Sequence, residues 1–237
     1  MNGTRASRPI PLVLTMLVAL FSALVALAVA GGHDAAAHGN GDRHANASAV
    51  AADGAVLTPR VVAFHDEMRR LWEDHVTWTR LAIISLIGGT PDTGASVGRL
   101  LQNQTDIGDA IKPYYGAAAG EELTRLLRDH ILIAADIIAA AKAGDQAALV
   151  QAQSRWTANA DEIAAFLAGA NPRAWDVDEL KAMLDEHLRL TTDEAVARLQ
   201  GDWDADVAAY DEIHRHALGM ADTLSDGIIK QFPARFR

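Results

Sequence analysis

The stretch Leu71-Trp-Glu-Asp-His-Val-Thr-Trp-Thr-Arg80 decides the fold, because its first half returns as Leu126-Leu-Arg-Asp-His130 and as Met183-Leu-Asp-Glu-His187. Each copy has two large apolar residues, a spacer, an acid and a histidine. His75, His130 and His187 stand 55 and 57 residues apart, a period that marks repeated helical units. Asn103, Asn159 and His216 follow them by 28, 29 and 29 residues. The midpoints of these intervals fall at Gly89, at Gly144-Asp145 and at Gly201-Asp202, where glycine and acid chemistry ends one helix and starts the next. Residues equidistant from the turn of an antiparallel hairpin sit at the same height. The chain therefore reads as all-α, with three tandem helical hairpins forming a six-helix bundle, each hairpin carrying a paired polar position.

Thr58-Pro59 caps the first helix, which runs to about Ile87 and stops at Gly88-Gly89. Thr90-Pro91-Asp92 starts a second helix, weakened by Gly94 and Gly98, that is expected to end before Lys112-Pro113, with Tyr114-Tyr115-Gly116 as connector. The third spans about Ala117 to Ala143, and Asp145 caps a fourth that reaches about Leu167. Asp176 caps the fifth, which ends near Gln200, and the sixth stops before Pro233. About 180 residues suffice for one helical domain with one substantial core.

Upstream, Arg5 and Arg8 precede an apolar run over residues 10–30, and Ala28-Val-Ala30 before Gly31-Gly32 has the form of a signal-peptidase site. The run is also long enough to span a bilayer, so a cleaved signal peptide and an uncleaved membrane anchor both remain open. Either way the basic residues stay cytoplasmic and the remainder is expected to be extracytoplasmic. Residues 31–57, rich in Ala, Gly and His, read as a disordered linker whose His33, His38 and His44 have weak metal-binding chemistry at most. With no cysteine, disulfides, thiol nucleophiles and a lipoprotein anchor are excluded. The formal charge of −10 becomes −12 over residues 31–237, with 19 basic against 31 acidic residues, which argues against nucleic acid as a partner.

Helical spacing places His75 with Met68, Leu71 and Trp72, His130 with Leu123, Leu126 and Leu127, and His187 with Leu180, Met183 and Leu184. All three are expected to face the core. Asn103 with Asp106, Asn159 with Glu162, and His216 are expected to meet them from the return helices. The result is one polar layer inside an apolar bundle. Such a layer either fixes helix register through hydrogen bonds or holds a ligand. Imidazole and carboxylate ligands suit zinc, copper, iron or manganese. His75, His130, His187 and His216 are the candidate metal ligands. Asn103, Asp106, Asn159, Glu162 and Trp78 are the candidates for contacts to a small ligand. Asp74, Asp129 and Glu186 precede their histidines and so turn about 100° away, toward water or an arginine. Arg80, Tyr114 and Tyr115 are further candidates to line a cavity. No Glu-x-x-His pair, His-Glu-x-x-His, nucleotide-binding glycine loop or Gly-x-Ser-x-Gly occurs, so no catalytic residue is assigned.

Trp72-Glu-Asp-His-Val-Thr-Trp-Thr-Arg80, Leu126-x-x-x-His130-Ile-Leu-Ile-Ala-Ala135, Asn159-Ala-Asp-Glu-Ile163 and Ile228-Ile-Lys-Gln-Phe-Pro233 together resemble a group of uncharacterised exported bacterial proteins. Some members carry automatic names such as glycosyltransferase or acetylglutamate kinase. Both activities call for strands and a nucleotide site, which these residues do not offer. The resemblance implies export and an all-helical domain, and it transfers no catalytic residue. The leading expectation is a non-catalytic protein that binds a small ligand or metal ion in the layer. The alternative is a structural or sensory module with a purely structural polar core, binding a protein partner at the cell surface.

Overall fold

The computed structural model describes residues 58–237; the expected signal or anchor segment and the linker lie outside the described residues. Six helices follow one another: α1 (Pro59–Gly88), α2 (Thr93–Tyr115), α3 (Ala117–Ala143), α4 (Gln146–Ala170), α5 (Val177–Gln200) and α6 (Trp203–Gln231), with a terminal 3₁₀ turn at Pro233–Arg235. No strand occurs among the described residues, and none of their helices is long and apolar enough to cross a membrane. The side chains of Thr58, Asp145, Asp176 and Asp202 each accept hydrogen bonds from backbone N–H groups of the following first turn. These bonds satisfy donors that a helix start leaves unpaired.

The three hairpin turns share one device. Gly89, Gly144 and Gly201 adopt φ of 64°, 69° and 72°, the left-handed conformation that a side chain disfavours. Each stands 14 residues after its histidine. Outgoing helices α1, α3 and α5 thus present their histidines at the same distance from the same end of the bundle.

The second helix differs from expectation. It continues through Pro113 to Tyr115, and the connector is Gly116 alone, at φ 88°. A proline in the last turn removes one N–H bond, and packing here offsets that loss. Tyr114 packs on Phe64, Phe232 and Phe236, and Tyr115 on Trp175 and Phe232, in an aromatic cluster near the chain's C-terminus. Tyr114 and Tyr115 belong to that cluster, not to the histidine layer.

The helices pack in chain order, and α6 returns to α1, so the bundle closes as a ring. α1 also touches α3 and α5. A main apolar cluster that includes Met68, Leu123, Leu126, Leu180, Ile213 and Ile228 fills the bundle. At the α2–α3 crossing Gly108 and Gly120 face each other. A Cβ on Gly108 would lie 2.0 Å from Thr124 Oγ1 and 2.5 Å from Gly120 O. Gly108→Ala must push two backbones apart and is expected to lose about 1–3 kcal/mol in urea unfolding. Gly98→Ala is the control on the same helix, since its Cβ would meet nothing within 4 Å. It is expected to gain up to about 1 kcal/mol from helix propensity. Equal effects of the two substitutions would refute the close crossing.

Candidate functional site

The layer forms where α1, α3 and α5 meet. His187 lies at its centre, with ring centroids 5.9 Å from His75, 5.9 Å from His130 and 6.1 Å from His216. His75, His130 and His187 are buried, and His216 is half-buried.

The return helices contact the layer by one repeated bond. Asn103 Nδ2 donates to Leu71 O at 2.9 Å, Asn159 Nδ2 to Leu126 O at 3.1 Å, and His216 Nε2 to Met183 O at 3.0 Å. The acceptor is each time the carbonyl four residues before the histidine. With its amide nitrogen so committed, Asn159 turns Oδ1 to His130 Nδ1 at 2.9 Å. An amide oxygen only accepts, so His130 Nδ1 carries the proton and Nε2 keeps a bare lone pair. His75 has Asn103 and Gln104 as side-chain partners, with Gln104 Nε2 at 3.3 Å from its Nδ1. His216 differs, because a ring that donates from Nε2 to a carbonyl has no amide oxygen to offer. His187 Nδ1 is consequently buried with no hydrogen-bond partner among the described residues.

Burial keeps these rings neutral. It pushes His75 and His130 down to about 4, with hydrogen bonds to the neighbouring amide side chains opposing only in part. His187 is lowered well below the usual histidine value, by burial first and then by the other three histidines. His216 shifts in the same direction through burial.

Unsatisfied polarity concentrates here. Six buried side-chain polar atoms lack a partner among the described residues, and four of them belong to layer residues or their ring neighbours: His187 Nδ1, Gln104 Oε1, Trp72 Nε1 and Trp156 Nε1. The Trp72 ring lies 5.6 Å from His75, and Trp156 lies 5.1 Å from His130. A fifth, Thr79 Oγ1, is one helical turn beyond His75. Apolar cavities of about 50 and 40 Å³ lie on either side, one lined by Thr79, Thr191 and Trp156, the other by Trp72, Leu127 and Leu184. As the side chains stand, no three His, Asp or Glu residues among those described are disposed to hold a metal ion.

Asp106 and Glu162 do not join the layer. Asp106 accepts from Gln102 near the surface, and Glu162 is exposed on a groove between α3 and α4. Trp78 is only partly buried and lies under the Arg99 guanidinium, outside the layer. The acids preceding the histidines bind arginines, Asp74 with Arg70 and Arg99, Asp129 with Arg125, and Glu186 with Arg189. Sequence reasoning passed over Gln104, which is fully buried beside Asn103. It also left Arg80 as a cavity candidate, whereas Arg80 pairs with the buried carboxylates of Glu194 and Asp206. Glu194 stands seven residues after His187, where the other repeats carry Ala82 and Ile137, and that break in the pattern was its visible signal. Comparison of the chain with protein-family models, with curated proteins and with solved structures finds no match.

Proposed function

We propose that this is an extracytoplasmic, non-catalytic protein that binds one first-row transition-metal ion, together with an oxygen ligand, in the histidine layer. The clustering of unpartnered polar atoms around His187 carries the reading. Buried polar groups left unpaired are costly, and a layer serving register alone would close its third pair as it closes the second. The imidazoles are neutral near pH 7 and offer lone pairs without first losing protons. Asn159 on His130 Nδ1 fixes the tautomer as outer-shell partners of metal-bound histidines do. Two rings bound to one ion at about 2.0–2.1 Å per nitrogen have centres roughly 5–6 Å apart, close to the 5.9 Å observed. Rotation about the broad imidazole χ2 torsion is what would complete the ligand set. A bound water or hydroxide would then meet Gln104 Oε1 and the indole N–H groups. Nitrogen ligands suit zinc, copper and iron.

The test uses protein purified without a histidine tag, by elemental analysis and by thermal melts with and without Zn²⁺, Cu²⁺, Fe²⁺ and Mn²⁺. A site filled at a hundred times its Kd adds about 2.7 kcal/mol. His187→Leu strands no partner, so the metal-free variant is expected to keep its melting temperature or gain, while the metal-dependent rise disappears. His130→Leu leaves Asn159 Oδ1 buried and unpaired, and is expected to cost about 1–3 kcal/mol without metal. A wild-type melting temperature indifferent to all four ions would end the metal reading. The His130–Asn159 pair, already closed, would then favour the second reading of a structural layer in a surface interaction module.

A further inference from the structure

Aligned on their histidines, the three repeats provide an internal standard for what this bundle requires. Eight residues after the histidine stand Ile83, Ile138 and Ala195. The third repeat thus replaces isoleucine by alanine at one level of the core. The cavity of about 50 Å³ on the hairpin-turn side of the layer includes all three of these residues in its wall.

The core is divided around it. Beyond the layer, Ala82, Leu100 and Ile131 form one small apolar cluster, and Ile83, Ile138 and Ala195 form another, both separate from the main cluster. Residues of both clusters line the cavity. A space of this size is several times the roughly 10–15 Å³ that one water needs, yet its walls are overwhelmingly apolar, with Thr79, Thr191, Thr192 and Trp156 as the only lining residues that carry side-chain polar atoms, too few convergent partners for the roughly two to four hydrogen bonds a buried water requires. It is also about a third of the roughly 150 Å³ that accommodates benzene. Leu86, Val97 and Ala135 line it while remaining partly exposed, so side chains alone separate it from solvent there.

We propose that this cavity is a binding site for a small neutral apolar molecule, of the size of a diatomic gas or a two-carbon hydrocarbon. The inference stands apart from the metal reading, since it rests on the Ala195 level and not on the imidazole nitrogens.

The experiment is a titration of the full chain, labelled at isoleucine methyl groups, with xenon under pressure, and separately with benzene. Saturable shifts at Ile83, Ile131 and Ile138 are expected with xenon and none with benzene. Ala195→Ile, which restores the repeat, is expected to abolish the xenon shifts, and Ala195→Val to weaken xenon binding at least severalfold. The valine variant decides the matter should the isoleucine variant not fold. His187→Leu is expected to leave xenon binding intact even where it removes metal binding, so the two proposals fail separately. Four outcomes would overturn the proposal: no saturable shift in the wild type, shifts confined to residues of the other cavity such as Ile107 and Ile163, benzene binding at the same methyls, or full xenon binding in Ala195→Val.

Discussion

As pH falls from 5.5 to 4.5, the metal-free protein is expected to lose stability at about 2.7 kcal/mol per pH unit, a net uptake of about two protons on unfolding. His75 and His130 drop from 6.5 to about 4 on folding, and burial lowers His187 well below its usual value. In this window the unfolded chain holds three histidine protons that the native state refuses. A depressed histidine contributes stability fully above pH 6.5 and loses it as pH falls toward the folded value. Glu194 acts in the opposite sense. Burial raises its carboxyl from 4.5 to about 7, against the Arg80 hydrogen bond, so the native state holds one proton that the unfolded chain releases. His216 is lowered in the same direction but is only half-buried and counts for less, so three minus one leaves about two. Asp185 and Asp193 are also raised by burial, but they are largely solvated and count for little. Over the two units from pH 6.5 to 4.5, with the slope building up as the unfolded histidines protonate, the fall amounts to about 4–5 kcal/mol, comparable to the whole stability of some domains. The measurement is urea unfolding at half-unit intervals. His187→Leu should lower the slope by one proton, and Glu194→Gln should raise it by one. A wild-type slope below one proton between pH 5.5 and 4.5 would mean that the histidines are not buried as described.

The helix count and the common height of the histidines were legible because both are local or periodic properties. Gly89, Gly144 and Gly201 mark their turns by their own conformational needs, and a stripe at helical spacing shows which side of a helix is buried. The limits have equally local causes. Asp106 and Glu162 stand three residues past Asn103 and Asn159, about 60° around the helix, at the edge of an apolar stripe where burial gives way to solvent. Gln104 lies 100° to the other side of Asn103 and is nonetheless buried, because α2 packs against both α1 and α3 and so has a wide buried face. Pro113 reads as a helix stop, but the aromatic packing of Tyr114 and Tyr115 outweighs one missing hydrogen bond. The role of Arg80 could not be read at all. Its partners lie 114 and 126 residues away on α5 and α6, and no period of the sequence connects them.

Arg80→Met is expected to destabilise the protein by about 3–5 kcal/mol near neutral pH, the usual consequence of breaking a buried ion pair from one side. Arg80 Nη1 donates to Glu194 Oε1 at 2.8 Å, while Nη1 and Nη2 hold the two oxygens of Asp206 at 3.1 and 3.2 Å. Both carboxylates are 1% exposed, and the guanidinium also lies 4.7 Å over the Tyr210 ring. Methionine preserves much of the side-chain bulk and removes the charge. Asp206 would keep Arg198, which donates at 3.1 Å, and its place in the first turn of α6 favours a negative charge. Glu194, already near the midpoint of its titration at pH 7, would keep nothing comparable and would become fully protonated. The loss should therefore shrink at pH 5.5, where protonation of Glu194 is easier, and this distinguishes charge stranding from lost packing. Arg80→Lys should fall between wild type and methionine, because an ammonium cannot reproduce the forked contact with Asp206. Replacing the three buried members together, as Arg80→Met with Glu194→Leu and Asp206→Leu, should recover most of the loss, since the partly exposed Arg198 can turn to water and apolar substitutes for buried ion clusters are often neutral or stabilising. If the triple variant were no more stable than Arg80→Met alone, the cluster would be holding α1, α5 and α6 together by more than mutual neutralisation. A loss below about 1 kcal/mol for Arg80→Met would place the three groups in contact with water.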